Sequence, residues 1–162
     1  MAAAHIGGEL NCTKGKFSNP NGRALYADGL TVGQDMYCNE GFEASGEVRL
    51  LGAHIGGQLS CREGQFSNPD GLALDLERAT VSGPLHMETA VLEGILDLTA
   101  AKTSSYYDNR EFWSQKLRPP GVAIRGDHLM IIWSGPEGYG EQFGGPDGEA
   151  RVLQLSVVGF SR

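Results

Sequence analysis

The stretch AHIGGELNCTKGKFSNPNGRAL at residues 4–25 returns 49 residues later as AHIGGQLSCREGQFSNPDGLAL at residues 53–74. The two copies match at 15 of 22 positions, and a fixed period of this length indicates a repeat architecture. Glycine is frequent, at 24 of 162 residues, and it recurs at regular turn positions without any low-complexity run. The repeat therefore decides the fold class.

A shorter pattern recurs inside the long repeat: apolar, any, apolar, two of any kind, small or apolar, any, apolar. Its copies are Leu10/Cys12/Gly15/Phe17, Leu25/Ala27/Leu30/Val32, Val48/Leu50/Ala53/Ile55, Leu59/Cys61/Gly64/Phe66, Leu74/Leu76/Ala79/Val81, Leu85/Met87/Ala90/Leu92 and Leu96/Leu98/Ala101/Thr103. An eighth copy, Met36/Cys38/Phe42/Ala44, fits if one extra residue is inserted, as in a β-bulge. Each unit predicts two short strands joined by a corner.

Strands this short bury an apolar face only when coils of the chain stack on one another. We predict an all-β fold in which residues 1–103 form a β-solenoid of about four coils of 23–26 residues, starting at positions 10, 36, 59 and 85. The predicted inward columns are Leu10/Met36/Leu59/Leu85 and Cys12/Cys38/Cys61/Met87 on one wall, and Leu25/Val48/Leu74/Leu96 and Ala27/Leu50/Leu76/Leu98 on the other.

Two insertions interrupt the regular spacing, SNPNGRA at residues 18–24 and SNPDGLA at residues 67–73. Asn-Pro followed by Asn-Gly or Asp-Gly is turn chemistry, because proline fixes φ and glycine accepts a positive φ. We expect both insertions to leave the same edge of the stack, two coils and about 10 Å apart. A simple corner is the interpretation we favour over a ligand grip.

Residues 104–162 are predicted to form a C-terminal cap. A helix is expected at about residues 105–117, with Ser104 or Ser105 as its N-cap and RPPG at its end. Two strands, VAIRGDHLMIIWS at 122–134 and RVLQLSVVGF at 151–160, should follow in a hairpin-like arrangement around a glycine-rich loop.

Composition excludes several classes of partner and cofactor. The formal net charge of −7 argues against nucleic acid as a partner, and the lack of a long apolar run argues against a membrane span. Three cysteines without framework spacing predict free thiols and a cytoplasmic location. No CxxC pair, phosphate loop or dinucleotide fingerprint is found, so we predict no metal and no cofactor, and we expect Cys12, Cys38 and Cys61 to be buried and inert.

Residues that carry acid–base or aromatic chemistry are few. His5 and His54 are equivalent in the repeat and should point outward, two coils apart. Asp127 beside His128 resembles an acid–base pair, although neighbours on a strand point to opposite faces. If the protein is an enzyme, the candidate catalytic residues are Tyr26, Tyr37, His54, His86, Asp127 and His128.

The sequence GEVRLLGAHIGGQLSC…FSNPDGLAL resembles that of the glycine-rich repeat proteins of actinobacteria, which are loosely similar to pentapeptide-repeat and bactofilin-type β-helices. The resemblance covers residues 4–103 and implies a β-helix. Some arrays of this kind carry an oxidoreductase or membrane-associated label, but no residue of this sequence supports either. Pentapeptide repeats keep a strict five-residue step, from which these coils depart, and no dense acidic stripe of the kind used in DNA mimicry runs down the stack.

Three functions fit these observations. The first is a non-catalytic binding or scaffold module that contacts a protein partner or its own copy. Ala4 and Ile6 match Ala53 and Ile55, so the chain starts in mid-coil and leaves an open rung, which predicts a homodimer through that rung. The second is a small-molecule enzyme, an oxidoreductase or biosynthetic tailoring enzyme, with a site on a solenoid wall next to the tail. The third is a fragment of a longer array. We favour the binding module and keep the small-molecule enzyme open as the alternative.

Overall fold

The computed structural model describes residues 3–107, together with the backbone of residues 123–125 and 130–131. The described residues form strands and turns and contain no helix. The strands are β1 (His5–Ile6), β2 (Leu10–Asn11), β3 (Lys16–Tyr26), β4 (Thr31–Val32), β5 (Met36–Tyr37), β6 (Glu43–Arg49), β7 (His54–Ile55), β8 (Leu59–Ser60), β9 (Gln65–Asp75), β10 (Thr80–His86), β11 (Val91–Asp97), β12 (Lys102–Tyr107), β13 (Ala123–Arg125) and β14 (Met130–Ile131).

Every pair of neighbouring strands is parallel and belongs to successive turns of the chain. We number the coils from the first strand: coil 1 is residues 5–30, coil 2 is 31–53, coil 3 is 54–79 and coil 4 is 80–101. One sheet contains the order β1-β4-β7-β10-β8-β5-β2, and the other the order β3-β6-β9-β11-β13. The protein is therefore a β-solenoid of about four turns, as predicted.

The predicted columns are confirmed by the strand register. Leu10 pairs with Met36, Met36 with Leu59 and Leu59 with Leu85. On the opposite sheet Leu25, Val48, Leu74 and Leu96 follow one another in the same way. In coils 2 to 4 these side chains are at most 2% exposed and form one continuous apolar core.

The corners of the coils require a backbone conformation that most residues avoid. Each corner has a residue with a positive φ between 46° and 90°, and the corner before Phe42 has two, Glu40 and Gly41; glycine takes this conformation only at Gly29, Gly41 and Gly52. Backbone hydrogen bonds close the turns, for example from Ala53 N–H to the Leu50 carbonyl oxygen at 3.0 Å. A positive φ at the third turn residue is what a type II turn needs.

The irregular eighth copy of the pattern has a packing reason. Ala44 of coil 2 lies in register between Phe17 and Phe66, where its small side chain leaves space. The ring of Phe42 fills that space, with centroids 5.5 Å from Phe17 and 5.2 Å from Phe66. The corner before it absorbs the extra residue with two successive positive φ angles, at Glu40 and Gly41.

Both insertions lie at the same position of the second sheet, as predicted, but each lies inside one strand, β3 or β9, as a register shift, which corrects the expectation of a simple corner. Ser18, Ser45 and Ser67 share one register position, so the insertions that follow Ser18 and Ser67 are two coils apart. Each insertion packs its backbone carbonyl groups against a glycine of the following coil. The carbonyls of Asn19 and Gly22 lie against Gly46, and those of Asn68 and Gly71 lie against Gly94.

The predicted helix is wrong at its start. Residues 105–107 belong to β12, which pairs in parallel with β10 and opens a fifth coil. Tyr106 pairs with Leu85 and continues its inward column at 2% exposure, so the aromatic residues extend the core where we expected a helix face. The remaining predicted helix, residues 108–117, lies outside the described residues.

The predicted single strand at residues 122–134 is also replaced. Its described parts, β13 and β14, lie in different sheets and pair in parallel with β11 and β12. They continue the solenoid and do not form one arm of a hairpin. The second predicted strand, residues 151–160, lies outside the described residues.

Candidate functional site

Polar side chains form an outward column on the first sheet. The column contains one residue from each successive coil: Asn11, Tyr37, Ser60, His86 and Tyr107. The alternation of side chains along each strand predicts that the first four point outward. Ser60 and His86 are nevertheless 3% and 9% exposed. Neighbouring polar side chains cover these positions and form two clusters.

The first cluster contains Asp35, Tyr37 and Gln58. The Tyr37 hydroxyl donates to Asp35 Oδ2 at 2.8 Å and accepts from Gln58 Nε2 at 3.0 Å. The Gln58 backbone N–H donates to Asp35 Oδ1 at 2.8 Å. The backbone donor and the Tyr37 hydroxyl lower the pKa of Asp35, and the bond to Asp35 raises the pKa of Tyr37. The arrangement keeps Tyr37 protonated, which suits a structural hydrogen bond rather than a general base.

The second cluster surrounds His86. Its Nδ1 lies 2.8 Å from Arg62 Nη2 and 3.1 Å from Glu88 Oε1. The nitrogen accepts from Arg62 in the neutral tautomer with the proton on Nε2, or donates to Glu88 when it is protonated, but it cannot do both. The Tyr107 ring stacks on the imidazole at 4.9 Å between centroids. Burial raises the pKa of Glu88, but hydrogen bonds from Arg62 and His86 lower it overall.

The other candidate residues are dispersed. His54 is exposed and separated from His5 by Thr31, two coils apart as predicted. Tyr26 is 51% exposed on the opposite sheet, with the Arg23 guanidinium 4.9 Å from its ring centroid. Asp127 and His128 lie outside the described residues. The structure therefore places Tyr37 and His86 on one face and does not bring the candidates together.

Sequence reasoning missed the partners in these clusters: Asp35, Gln58, Arg62, Glu88 and Tyr107. A signal was present, because side chains two residues from an outward position on a strand also point outward. Asp35 precedes Tyr37 by two residues, and Glu88 follows His86 by two. The hydrogen bonds of these groups are made within each cluster, so neither cluster presents a nucleophile paired with a base.

The outward column of the second sheet is charged and becomes buried along the stack. Tyr26, Arg49, Asp75 and Asp97 follow one another, and the two aspartates are 3% and 4% exposed. Arg49 Nε lies 2.9 Å from Asp28 Oδ1 and 3.8 Å from Asp75 Oδ2. Burial, with the neighbouring Asp97 charge, raises the pKa of Asp75. The backbone N–H groups of Glu77 and Thr99 donate to Asp75 and Asp97, which gives these carboxylates a role at the corners.

The cysteine column lies inside the stack, as predicted, but its members differ. Cys38 and Cys61 are each 1% exposed, whereas Cys12 is half-buried, which corrects the expectation that all three are buried. A hydrogen bond from the Cys38 thiol, opposed by burial, lowers the pKa of Cys12 to about 7. The bond to Cys12 and burial raise the pKa of Cys38 well above its usual value, and burial raises that of Cys61 to about 12.

The free side of coil 1 is the most distinctive surface of the described residues. Within the part of the chain that the structure describes, strands β1, β2 and β3 each pair on one side only, with β4, β5 and β6. The inward apolar side chains of coil 1 are only half-buried, whereas their in-register counterparts in coil 2 are at most 3% exposed. The coil 1 residues are Ile6, Leu10, Phe17 and Leu25, and their counterparts are Val32, Met36, Ala44 and Val48. Coil 1 thus presents a sheet edge together with one end of the apolar core. We call this surface, formed by residues 5–26, the open face.

Two kinds of feature, a metal cluster and a membrane-spanning helix, are absent from the described residues. No group of three or more His, Cys, Asp or Glu residues there is placed to hold a metal ion. That part of the chain also contains no helix with the length and apolarity needed to cross a bilayer.

Comparison with models of known protein families, with curated proteins and with solved structures finds no match for this chain.

Proposed function

We propose that this protein is a non-catalytic scaffold module that associates with a second copy of itself through the open face. The observation that carries the proposal is the contrast in burial between coil 1 and the coils above it. The same columns that are closed in coils 2 to 4 end at half-exposed Ile6, Leu10, Phe17 and Leu25. Covering apolar side chains stabilises an association in proportion to the apolar area removed from water.

The backbone supplies the second contribution. In a parallel ladder alternate residues direct their N–H and C=O groups to opposite sides. Leu10 and Cys12 donate to the Asp35 and Tyr37 carbonyl oxygens of coil 2, at 2.9 and 2.8 Å. Asn11, between them, therefore directs its N–H away from coil 2. An edge of this kind pairs readily with another strand.

Three features favour a second copy of the chain as the occupant of the open face. An edge strand pairs in the antiparallel sense with its own copy about a two-fold axis, and this is the commonest symmetry of homo-oligomers. The first insertion leans toward Gly46 of coil 2, so its carbonyls do not cover the edge. The cations of β3 are also matched, since Lys16 pairs with Glu43 at 3.0 Å and Arg23 with Glu47 at 3.2 Å.

The location proposed is cytoplasmic. The three cysteines are free thiols, and free thiols persist in a reducing compartment.

Leu10→Glu is expected to weaken self-association by about 100-fold or more, because the dimer would bury an unpaired carboxylate. Sedimentation velocity over a concentration series measures the effect, with wild-type protein sedimenting as a dimer. Val91→Glu is the matched control, since Val91 is 38% exposed on the wall of coil 4 and should leave association unchanged.

Asn11→Pro is the second variant, in case Leu10→Glu impairs folding. It removes the N–H that points to the free side and leaves the hydrogen bonds from the Leu10 and Cys12 N–H groups to coil 2. Far-UV circular dichroism establishes that each variant is folded. A wild-type chain that remains monomeric at every concentration, or folded variants that dimerise like wild type, would overturn the proposal.

A further inference from the structure

The three cysteines occupy one position on three successive coils. The N–H groups of Cys12, Cys38 and Cys61 each donate to a carbonyl of the next coil, those of Tyr37, Ser60 and His86, all at 2.8 Å. Equivalent residues on neighbouring strands have Cα atoms about 4.8 Å apart, which lies within the range of about 4.4–6.8 Å found in disulfides. Neighbouring thiols in this column are therefore within reach of a covalent bond.

Access separates the first pair from the second. Cys12 is half-buried on the open face, whereas Cys38 and Cys61 are each 1% exposed. Cys12 therefore meets a dissolved oxidant first. Among the described strands, those of coil 1 are paired on one side only, so closing the disulfide requires a shift of coil 1 alone, by the fraction of an ångström that brings the Cβ atoms to disulfide separation. Coil 3, held on both sides, has no such freedom.

We propose that Cys12 and Cys38 form a redox pair that closes to a disulfide when a peroxide oxidises Cys12. The Cys12 thiolate attacks the peroxide O–O bond, which breaks to give a sulfenic acid and hydroxide, and the hydroxide takes up the proton that Cys12 released to become one water. The Cys38 sulfur then attacks the Cys12 sulfur, the S–O bond breaks, and the departing hydroxide takes the Cys38 proton as a second water. The two thiols lose two electrons in total, which reduce hydrogen peroxide to two waters.

The electrostatics of the pair agree with this division of roles. The thiolate is the reactive form of cysteine, and the hydrogen bond from Cys38 holds the pKa of Cys12 at about 7. The same bond and burial raise the pKa of Cys38, so Cys38 holds its proton while Cys12 reacts. Burial raises the pKa of Cys61 to about 12, which leaves that thiol unreactive.

This inference goes beyond the proposed function, because the disulfide lies within one chain and does not require a second copy. It makes the open face sensitive to oxidation by fixing coil 1 to coil 2. Because the proposed dimer would cover Cys12, the peroxide test is made at a protein concentration at which the chain is monomeric, and the cysteine pair and the dimer are then tested in separate measurements.

The test treats the reduced full-length chain with equimolar hydrogen peroxide near pH 7.5, followed by thiol blocking and mass spectrometry. We expect the intact mass, measured before thiol blocking, to fall by about 2 Da through loss of two hydrogens, and the blocked digest to contain a Cys12–Cys38 linked peptide that dithiothreitol separates. Cys61→Ala is the matched control and should form the same link. Cys38→Ala should stop at the sulfenic acid, which dimedone traps on Cys12.

A pH series gives a second readout that does not depend on any variant. The initial rate of Cys12 alkylation by iodoacetamide should reach half its maximum near pH 7 and rise by about tenfold per pH unit below it. A link only between Cys38 and Cys61, a link only between the Cys12 residues of two chains, over-oxidation of Cys12 without any link, or no reaction would each overturn the redox pair.

Discussion

Phe42→Ala is expected to lower the free energy of unfolding by about 4 kcal/mol, in the range for removal of a buried aromatic ring. Phe42 is fully buried and its ring lies between those of Phe17 and Phe66, at 5.5 and 5.2 Å. Ala44, the residue in register with both of those rings, is too small to fill the space. The variant therefore opens a cavity in the middle of the stack. Urea denaturation followed by circular dichroism measures the loss.

Phe17→Ala is the matched control for this prediction. Phe17 and Phe42 belong to one aromatic column, but Phe17 is half-buried at the open face. Truncating Phe17 therefore removes less buried apolar area than truncating Phe42. Its loss should be clearly smaller, measured at a protein concentration at which both variants are monomeric. Equal losses for the two variants would contradict the proposed role of Phe42 as the filler of coil 2.

Gly46→Ala is expected to cost about 3 kcal/mol, the sum of backbone strain and a steric clash. Gly46 has φ of +112°, where L-residues are strained, and an added Cβ would lie 2.8 Å from the Gly22 carbonyl oxygen and closer still to that of Asn19. The insertion at residues 18–24 would have to move away from coil 2. Gly94, with φ of +122° under the second insertion, should respond in the same way. Thermal and urea unfolding measure both losses.

Two other glycines separate the strain from the clash. Gly52 has φ of +63° but open space around an added Cβ, so Gly52→Ala should cost only about 1 kcal/mol. Gly8 has open space and no positive φ, so Gly8→Ala should have almost no effect. If Gly46→Ala cost no more than Gly52→Ala, the insertion would not rest on Gly46 and the account of the repeat would fail.

The columns of the core could be predicted from sequence because they depend only on spacing. Once Leu10, Met36 and Leu59 are aligned on successive coils, the period-2 alternation of each strand fixes which neighbours point inward. The same reasoning anticipated the extra residue before Phe42, but not that its ring compensates for Ala44. That result depends on the volumes of side chains from three coils, which a pattern of apolar positions does not contain.

The helix prediction failed for a related reason. Tyr106 and Tyr107 follow a serine pair that resembles a helix N-cap, and local propensity favoured a helix there. In the structure Thr103 and Tyr106 point inward and are 2% exposed, because β12 pairs with the edge of coil 4. The backbone hydrogen bonds that β12 makes with β10 therefore outweigh the local helix propensity of this segment.

The sequence predicts that the polar side chains of the outward column on the first sheet point away from the core, but it does not predict what surrounds them. Tyr37 and His86 share an outward face, as the alternation requires. Their hydrogen-bond partners come from other coils or from positions two residues away, and those partners cover His86 until it is 9% exposed. An outward position on a strand is therefore no measure of exposure when long side chains stack above and below it.

Hydrogen exchange tests the proposed association through the open face most directly. Amide exchange is measured by mass spectrometry at protein concentrations about tenfold below and about tenfold above the dissociation constant. The account predicts that residues 5–26 become more protected at the higher concentration while coil 3, residues 54–79, does not change. Unchanged protection of residues 5–26, or an increase confined to another coil, would contradict it.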